Sequence, residues 1–134
     1  PDVVVDIATL TGAATRGLGR SHAAMYTSDD RLAEAFAKAG ESSGERVWRM
    51  PLVEDYRSCL DSDVADLCHI STDAKVGAGS VVAALFLREF TGGRRWVHLD
   101  IAGTGRSERD NGLLNRGGTG WGARLLLSWL HSLR

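Results

Sequence analysis

Apolar positions along this chain cluster into short runs separated by polar or small-residue stretches. Val3 to Ile7 (Val-Val-Val-Asp-Ile) is apolar at both alternating positions, the pattern of a strand covered on both faces. It leads into the small-residue turn Ala8 to Ala13. Ala23 to Tyr26 reads as a short second strand. Ser28-Asp29-Asp30 then supplies an N-cap and acidic first-turn residues for a helix over Arg31 to Ala39, with Gly40 as its stop. Leu32, Ala35, Phe36 and Ala39 give that helix one apolar face. Val47 to Leu52 is apolar but interrupted by Pro51, which predicts an extended segment. Glu54 to Leu60 has room for one or two helical turns, and Asp61 to Gly79 is irregular.

Val81 to Leu87 is apolar all round, which predicts a buried helix capped by Ser80 and ended by Gly92-Gly93. Arg95 to Ile101 is a second strong strand, again followed by small residues, Ala102 to Gly105. Arg106 to Gly118 is a polar loop. Thr119 opens a terminal helix with Trp121, Leu125 and Trp129 on one stripe and Leu126, Leu130 and Leu133 on another.

Strands alternating with helices specify an α/β layered domain. Both strong strands end in small-residue turns at their carboxyl ends, the edge at which open α/β sheets form ligand crevices. Thr9 to Gly12 and Ala102 to Gly105 are therefore the expected walls of a site.

Composition narrows the function classes. The chain has 134 residues and a formal net charge of −1, without the basic field that nucleic-acid or membrane-surface binding needs. No apolar run approaches the ~20 residues of a membrane span, and no charged-then-apolar leader opens the sequence. Two cysteines, Cys59 and Cys68, are too few for a disulfide framework, so a cytoplasmic location is expected. The opening at Pro1, directly before a strongly apolar strand, reads as the interior of a longer protein.

Individual chemistry-bearing residues name no reaction. His98 and Asp100 share a face of one strand, but no third ligand has metal-site spacing, and hydrogen-bonded strand-end residues are the expectation. Asp63 and Asp66 read as loop residues that cap or face water. Cys68-His69 lacks a second ligand pair, and His22 has no evident partner. There is no nucleophile elbow, P-loop or dinucleotide fingerprint. Trp48, Trp96, Trp121 and Trp129 suit core or interface positions. Arg106, Arg109, Arg116 and Arg124 suit loop and helix surfaces.

The order of segments is more specific. Asp6-Ile7-Ala8-Thr9-Leu10-Thr11-Gly12-Ala13 resembles a segment of the leucyl (cytosol) aminopeptidases. Arg46 to Leu52, Ala65-Asp66, Gly79 to Phe90, His98 to Gly103 and Gly118-Thr119-Gly120 resemble further segments of that family, in family order. The resemblance implies that the chain is a single unit, 1–134, forming the C-terminal portion of the catalytic domain. Its implied fold is part of a three-layer α/β/α domain with a mixed, largely parallel sheet of the phosphorylase/hydrolase-like kind. The implied activity is a metalloprotease reaction, release of N-terminal residues from peptide substrates. Two divalent ions, manganese, zinc or magnesium, would serve it, in a homo-hexamer.

The family's metal ligands lie in a Lys/Asp segment and an Asn-Thr-Asp-Ala-Glu-Gly-Arg motif, and neither occurs here. No catalytic or metal-binding residue carries over, no bound metal is expected, and the isolated chain is expected to be inactive. Substrate contacts do carry over by resemblance. The backbone of Leu10 and Gly12 would hydrogen-bond the peptide, and Thr9 would line the site. Ala102 and Gly105 would border the pocket for the N-terminal side chain, together with Ile70. The alternative is a non-catalytic, aminopeptidase-like assembly module.

Overall fold

Strand β1 (Val3–Ala8) lies at one edge of a four-stranded sheet, beside the later strand β4 (Arg95–Asp100). Beyond β4 follow β2 (Ala23–Tyr26) and the short β3 (Val47–Arg49), giving the order β1-β4-β2-β3. The β1–β4 and β2–β3 pairs are parallel and the β2–β4 pair is antiparallel, so the sheet is mixed and mostly parallel. This computed structural model describes residues 1–133. Among them no helix is long and apolar enough to cross a membrane.

Helices flank the sheet. Helix α1 (Gly12–Leu18), the 3-10 helix Glu54–Leu60 and α3 (Gly79–Arg88) cover one face. Helices α2 (Asp30–Ser43) and α4 (Ala123–His131) cover the other. The alternation along β4 makes the two layers distinct, because neighbouring residues of a strand point to opposite faces. Trp96 joins Ala24, Tyr26, Leu60, Val81 and Leu85 beneath α1 and α3. Val97 and Leu99 join Met25, Phe36, Leu125 and Trp129 beneath α2 and α4. A two-residue ribbon, β5 (Arg106–Ser107) with β6 (Gly117–Gly118), closes the polar loop before α4.

The elements expected from the apolar pattern are present, with corrections at their ends. Helix α2 starts one residue earlier than expected, because Asp29 caps it by accepting from the Leu32 amide at 3.0 Å. It also runs through Gly40, which packs against the following backbone. A Cβ there would lie 3.0 Å from the Glu45 carbonyl oxygen. The stop is Gly44, at φ +75°, in the left-handed region open to glycine. Ser80 does not cap α3. It lies inside the helix with its hydroxyl turned into the core, and the helix ends at Arg88, ahead of Gly92-Gly93.

Thr119 does not open the terminal helix either, since its hydroxyl donates to the Thr104 carbonyl and accepts from the Trp121 amide. The first amides of α4 are taken by the buried Glu45 carboxylate, from Gly122 at 3.0 Å and Leu125 at 2.8 Å. A distant acidic residue thus does the work of a cap. The Leu125 and Trp129 stripe of α4 is buried, whereas Leu130 and Leu133 are exposed. Helix α1 was not foreshadowed by any periodic apolar pattern. It forms because Thr11 accepts from the Ala14 amide at 3.0 Å and ends the preceding turn. Strand β1 is half-buried at a sheet edge in this chain, not covered on both faces as its apolar run predicts.

Candidate functional site

β1 and β4 run in parallel and stop together, Ala8 opposite Asp100. The two small-residue turns that follow them therefore emerge side by side, as the strand-end argument requires. The Ile101 amide donates to the Ala8 carbonyl at 2.8 Å and carries the pairing one step past the strands. Above it the chain turns tightly, with the Thr104 and Gly105 amides both donating to the Ile101 carbonyl, at 3.1 and 2.7 Å.

Glycine has a spatial reason here. A Cβ at Gly103 would lie 2.1 Å from the Gly19 carbonyl oxygen, which backbone cannot accommodate. A Cβ at Gly105 would lie 3.1 Å from the Thr9 methyl and 3.0 Å from the Ile101 carbonyl oxygen. The 9–12 and 102–105 turns are thus in van der Waals reach of each other.

One carboxylate joins them. Asp100 is 1% exposed, yet no Lys, Arg or His partners it among the described residues. Its Oδ1 accepts from the amides of Leu10 at 3.1 Å, Thr11 at 3.3 Å and Ala102 at 3.1 Å. Its Oδ2 accepts from the Thr11 hydroxyl at 2.6 Å and the Ser80 hydroxyl at 3.4 Å. Ser80 in turn accepts from the Tyr26 hydroxyl at 2.8 Å. Burial, reinforced by the nearby Asp100 charge and opposed by the Ser80 hydroxyl, holds the Tyr26 phenol above its ordinary range.

Five of the six predicted site residues fall into two groups. Thr9, Ala102 and Gly105 gather where the turns meet. Leu10 and Ile70 line a separate cavity of about 340 Å³, together with Thr11, His69, Ser71, Gly79, Val82 and Ala83. Gly12 is exposed at the start of α1. A larger hollow of about 710 Å³, between Ser28–Arg31 and Gly93–Arg95, lies at the opposite end of β4 and belongs to neither group.

His98 and Asp100 share a face, as their spacing requires, but both are already engaged. His98 Nδ1 lies 2.5 Å from Asp6 Oδ1, and the other Asp6 oxygen accepts from the Trp96 indole at 2.6 Å. The His98 ring stacks on Tyr26 and Trp96, and its Nε2 is buried without a hydrogen-bond partner among the described residues. Asp63 and Asp66 are exposed, and His22 lies edge-on to Trp48. No group of three or more His, Cys, Asp or Glu side chains converges among the described residues. The donors present therefore do not fit a two-metal centre.

Sequence reasoning expected Asp100 to be hydrogen-bonded at the strand end, as it is, but did not identify the two turns that it holds. The available signal was an acidic residue at the last position of a buried strand, directly before a turn that carries free amides. Thr11 and Ser80 carried no comparable signal, because their partners lie 89 and 20 residues away in the chain.

The chain has recognisable relatives among known proteins. A profile describing the "cytosol aminopeptidase family, catalytic domain" matches residues 1–127. Similar sequences include the probable cytosol aminopeptidases of Chlorobium phaeobacteroides, 48% identical over 97% of this chain, and of Prochlorococcus marinus, 48% identical over 98%. Among solved structures, a mutant of tomato leucine aminopeptidase superposes with a TM-score of 0.86 at 37% identity, over 96% of this chain. The chain spans 25% and 26% of the length of those two relatives and 24% of the tomato chain.

Proposed function

The chain belongs to the cytosol aminopeptidase family, and from that premise we propose that it forms the peptide-binding wall of an aminopeptidase catalytic domain. The observation that carries this reading is the meeting of the 9–12 and 102–105 turns at the carboxyl edge of the sheet. Leu10 and Gly12 offer backbone groups to an extended peptide, as strand-like recognition requires. Thr9, Ala102 and Gly105 border the pocket for the N-terminal side chain. Leu10 and Ile70 line the separate cavity.

The family resemblance implies two divalent ions, manganese, zinc or magnesium. Such ions polarise a scissile carbonyl and lower the pKa of a bound water. No group of side chains among the described residues fits that centre, and the reading puts its ligands outside this segment, in the further length that relatives such as the Chlorobium phaeobacteroides protein have. The reading is thus a division of labour, in which this segment holds peptide and other segments hold metal. A homo-hexameric assembly and a cytoplasmic location accompany the reading.

The test compares two samples, the full protein that carries this sequence and the isolated chain. We expect metal-dependent release of N-terminal residues by the full protein. The isolated chain should show neither hydrolysis nor retained metal after dialysis, read by elemental analysis. Hydrolysis by the isolated chain would refute the division of labour. A full protein that binds no metal and cleaves no peptide would favour the second reading, a non-catalytic assembly module. The lack of a metal-ligand group among the described residues is the observation behind that alternative.

A further inference from the structure

We propose that Asp100 is the positioning residue that aims the Thr9 and Leu10 carbonyls out of the protein, as acceptors for N–H groups of a bound peptide. The proposal rests on the peptide-binding reading above and adds to it the residue that holds the turn in place.

The argument begins with the peptide unit. No peptide bond in the described residues is cis, and in a trans unit the N–H and C=O point to opposite sides. The amides of Leu10 and Thr11 both point inward, to Asp100 Oδ1. The carbonyls sharing those two units belong to Thr9 and Leu10, so both point the other way. Thr9 and Leu10 are exposed, and no hydrogen bond among the described residues uses either carbonyl. The turn thus presents two adjacent acceptors, a fit for the N–H groups of an ammonium and of a peptide bond.

Asp100 suits this task better than the alternatives open to it. Its five donors come from three stretches of chain: three from the turn after β1, one from the turn after β4 and one from the start of α3. The Thr11 hydroxyl has its proton on Asp100 and its lone pair on the Ala14 amide, so the turn cannot rotate without breaking both bonds. A carboxylate this deep and fully subscribed is unavailable as a base or a metal ligand. It is a brace, and hydrogen bonds to a buried charged group are the stronger kind.

The test needs a readout that a general loss of stability would leave alone. In the full protein, a leucyl peptide is compared with the matching depsipeptide, whose scissile N–H is replaced by an ester oxygen. The intrinsic reactivity of each substrate is the same for every variant, so the ratio of their kcat/KM values reports the N–H contact. With Asp100→Ala we expect kcat/KM for the peptide to fall on the order of 10²-fold, and the peptide-to-ester ratio to fall about tenfold. Asp100→Asn keeps an oxygen for the Leu10, Thr11 and Ala102 amides, whereas its NH₂ meets two hydroxyls that must turn from donating to accepting, so it should restore part of the ratio. Equal losses on both substrates would show a merely structural residue and overturn the proposal.

A second measurement does not depend on catalysis. Amide hydrogen exchange at Leu10 and Thr11 should accelerate in Asp100→Ala relative to the rest of β1 and return towards native rates in Asp100→Asn. Unchanged exchange overturns the proposal even if activity falls. Should the unmutated full protein cleave neither substrate, the aminopeptidase reading fails, and local exchange decides the positioning role alone.

Discussion

The two faces of β4 are built by different physics. On one side Val97 and Leu99 meet Met25, Phe36, Leu125 and Trp129, a contact set that depends on volume and shape. On the other side Trp96, His98 and Asp100 carry a line of polar contacts from Asp6 at the sheet edge to Thr11 at the strand-end turn. The apolar face holds the layers together through many individually weak contacts, none of which is directional. The polar face has little tolerance, because a buried donor without an acceptor costs about 1–3 kcal/mol. That intolerance is useful where the 9–12 turn must be presented at fixed angles. Packing gives this chain its cohesion, and the hydrogen-bonded face gives the candidate site its orientation.

The largest effect should come from breaking the apolar face. Phe36 is fully buried, with its ring centroid 4.8 Å from that of Trp129. Phe36→Ala removes the ring that joins α2 to α4 and should cost about 4 kcal/mol. Urea unfolding monitored by circular dichroism would read this directly. Because the cost is one of volume, Phe36→Leu should recover more than half of it. A loss below about 1 kcal/mol would mean that the α2–α4 layer can collapse around the gap, and that shape does not set this face apart from the other.

The apolar face was largely legible in the sequence, and the polar face was not. The spacing of Leu32, Phe36 and Ala39, and the stripe of Leu125 and Trp129, are local patterns whose periodicity alone points inward. All are buried. The strand-end rule likewise brought the 9–12 and 102–105 turns into view before any partner was known. What could not be read is every contact made across long sequence separations. Glu45 capping α4, Thr11 on Asp100 and Asp6 on Trp96 join residues 77 to 90 apart. A Ser before an apolar run has a strong local reading as a cap, and only the fold shows Ser80 turned inward to Tyr26 and Asp100 instead. Gly40 misled for a similar reason: its value lies in close packing against Glu45, which local propensity does not contain.

A smaller effect should come from orphaning the polar face at its outer end. Asp6 accepts from both the Trp96 indole and His98 Nδ1, while its side chain remains 36% exposed. Asp6→Ala leaves two ring donors without acceptors, and water reaching the vacated edge should limit the cost to about 2 kcal/mol. The sharper measurement is a double-mutant cycle with His98→Phe, whose ring keeps the stacking on Tyr26 and Trp96 but has no donor. If the face is held by partner satisfaction, Asp6→Ala should cost clearly less in the His98→Phe background than in the native one. Strict additivity would show that Asp6 and His98 are neighbours without an energetic bond.

The smallest effect concerns the inner end of the same face and is read by pH. Tyr26 is fully buried, and that burial is the main cause that raises its phenol above the ordinary 10.0; the Asp100 charge adds to it and the Ser80 hydroxyl opposes it. A raised value means that the folded state holds the proton more tightly than the unfolded chain does. The associated stability is therefore fully present below the ordinary tyrosine value and is lost as pH rises from that value through the raised one. In a Tyr56→Phe background, which removes the other tyrosine, phenolate absorbance should stay low at the pH where the urea-unfolded chain is half-ionised. Asp100→Asn removes one raising cause and leaves the larger one, so the titration should move only part of the way back. Phenolate forming at the ordinary value in the folded protein would mean that water reaches Tyr26. The hydrogen-bonded face would then be open at the end that braces the turn.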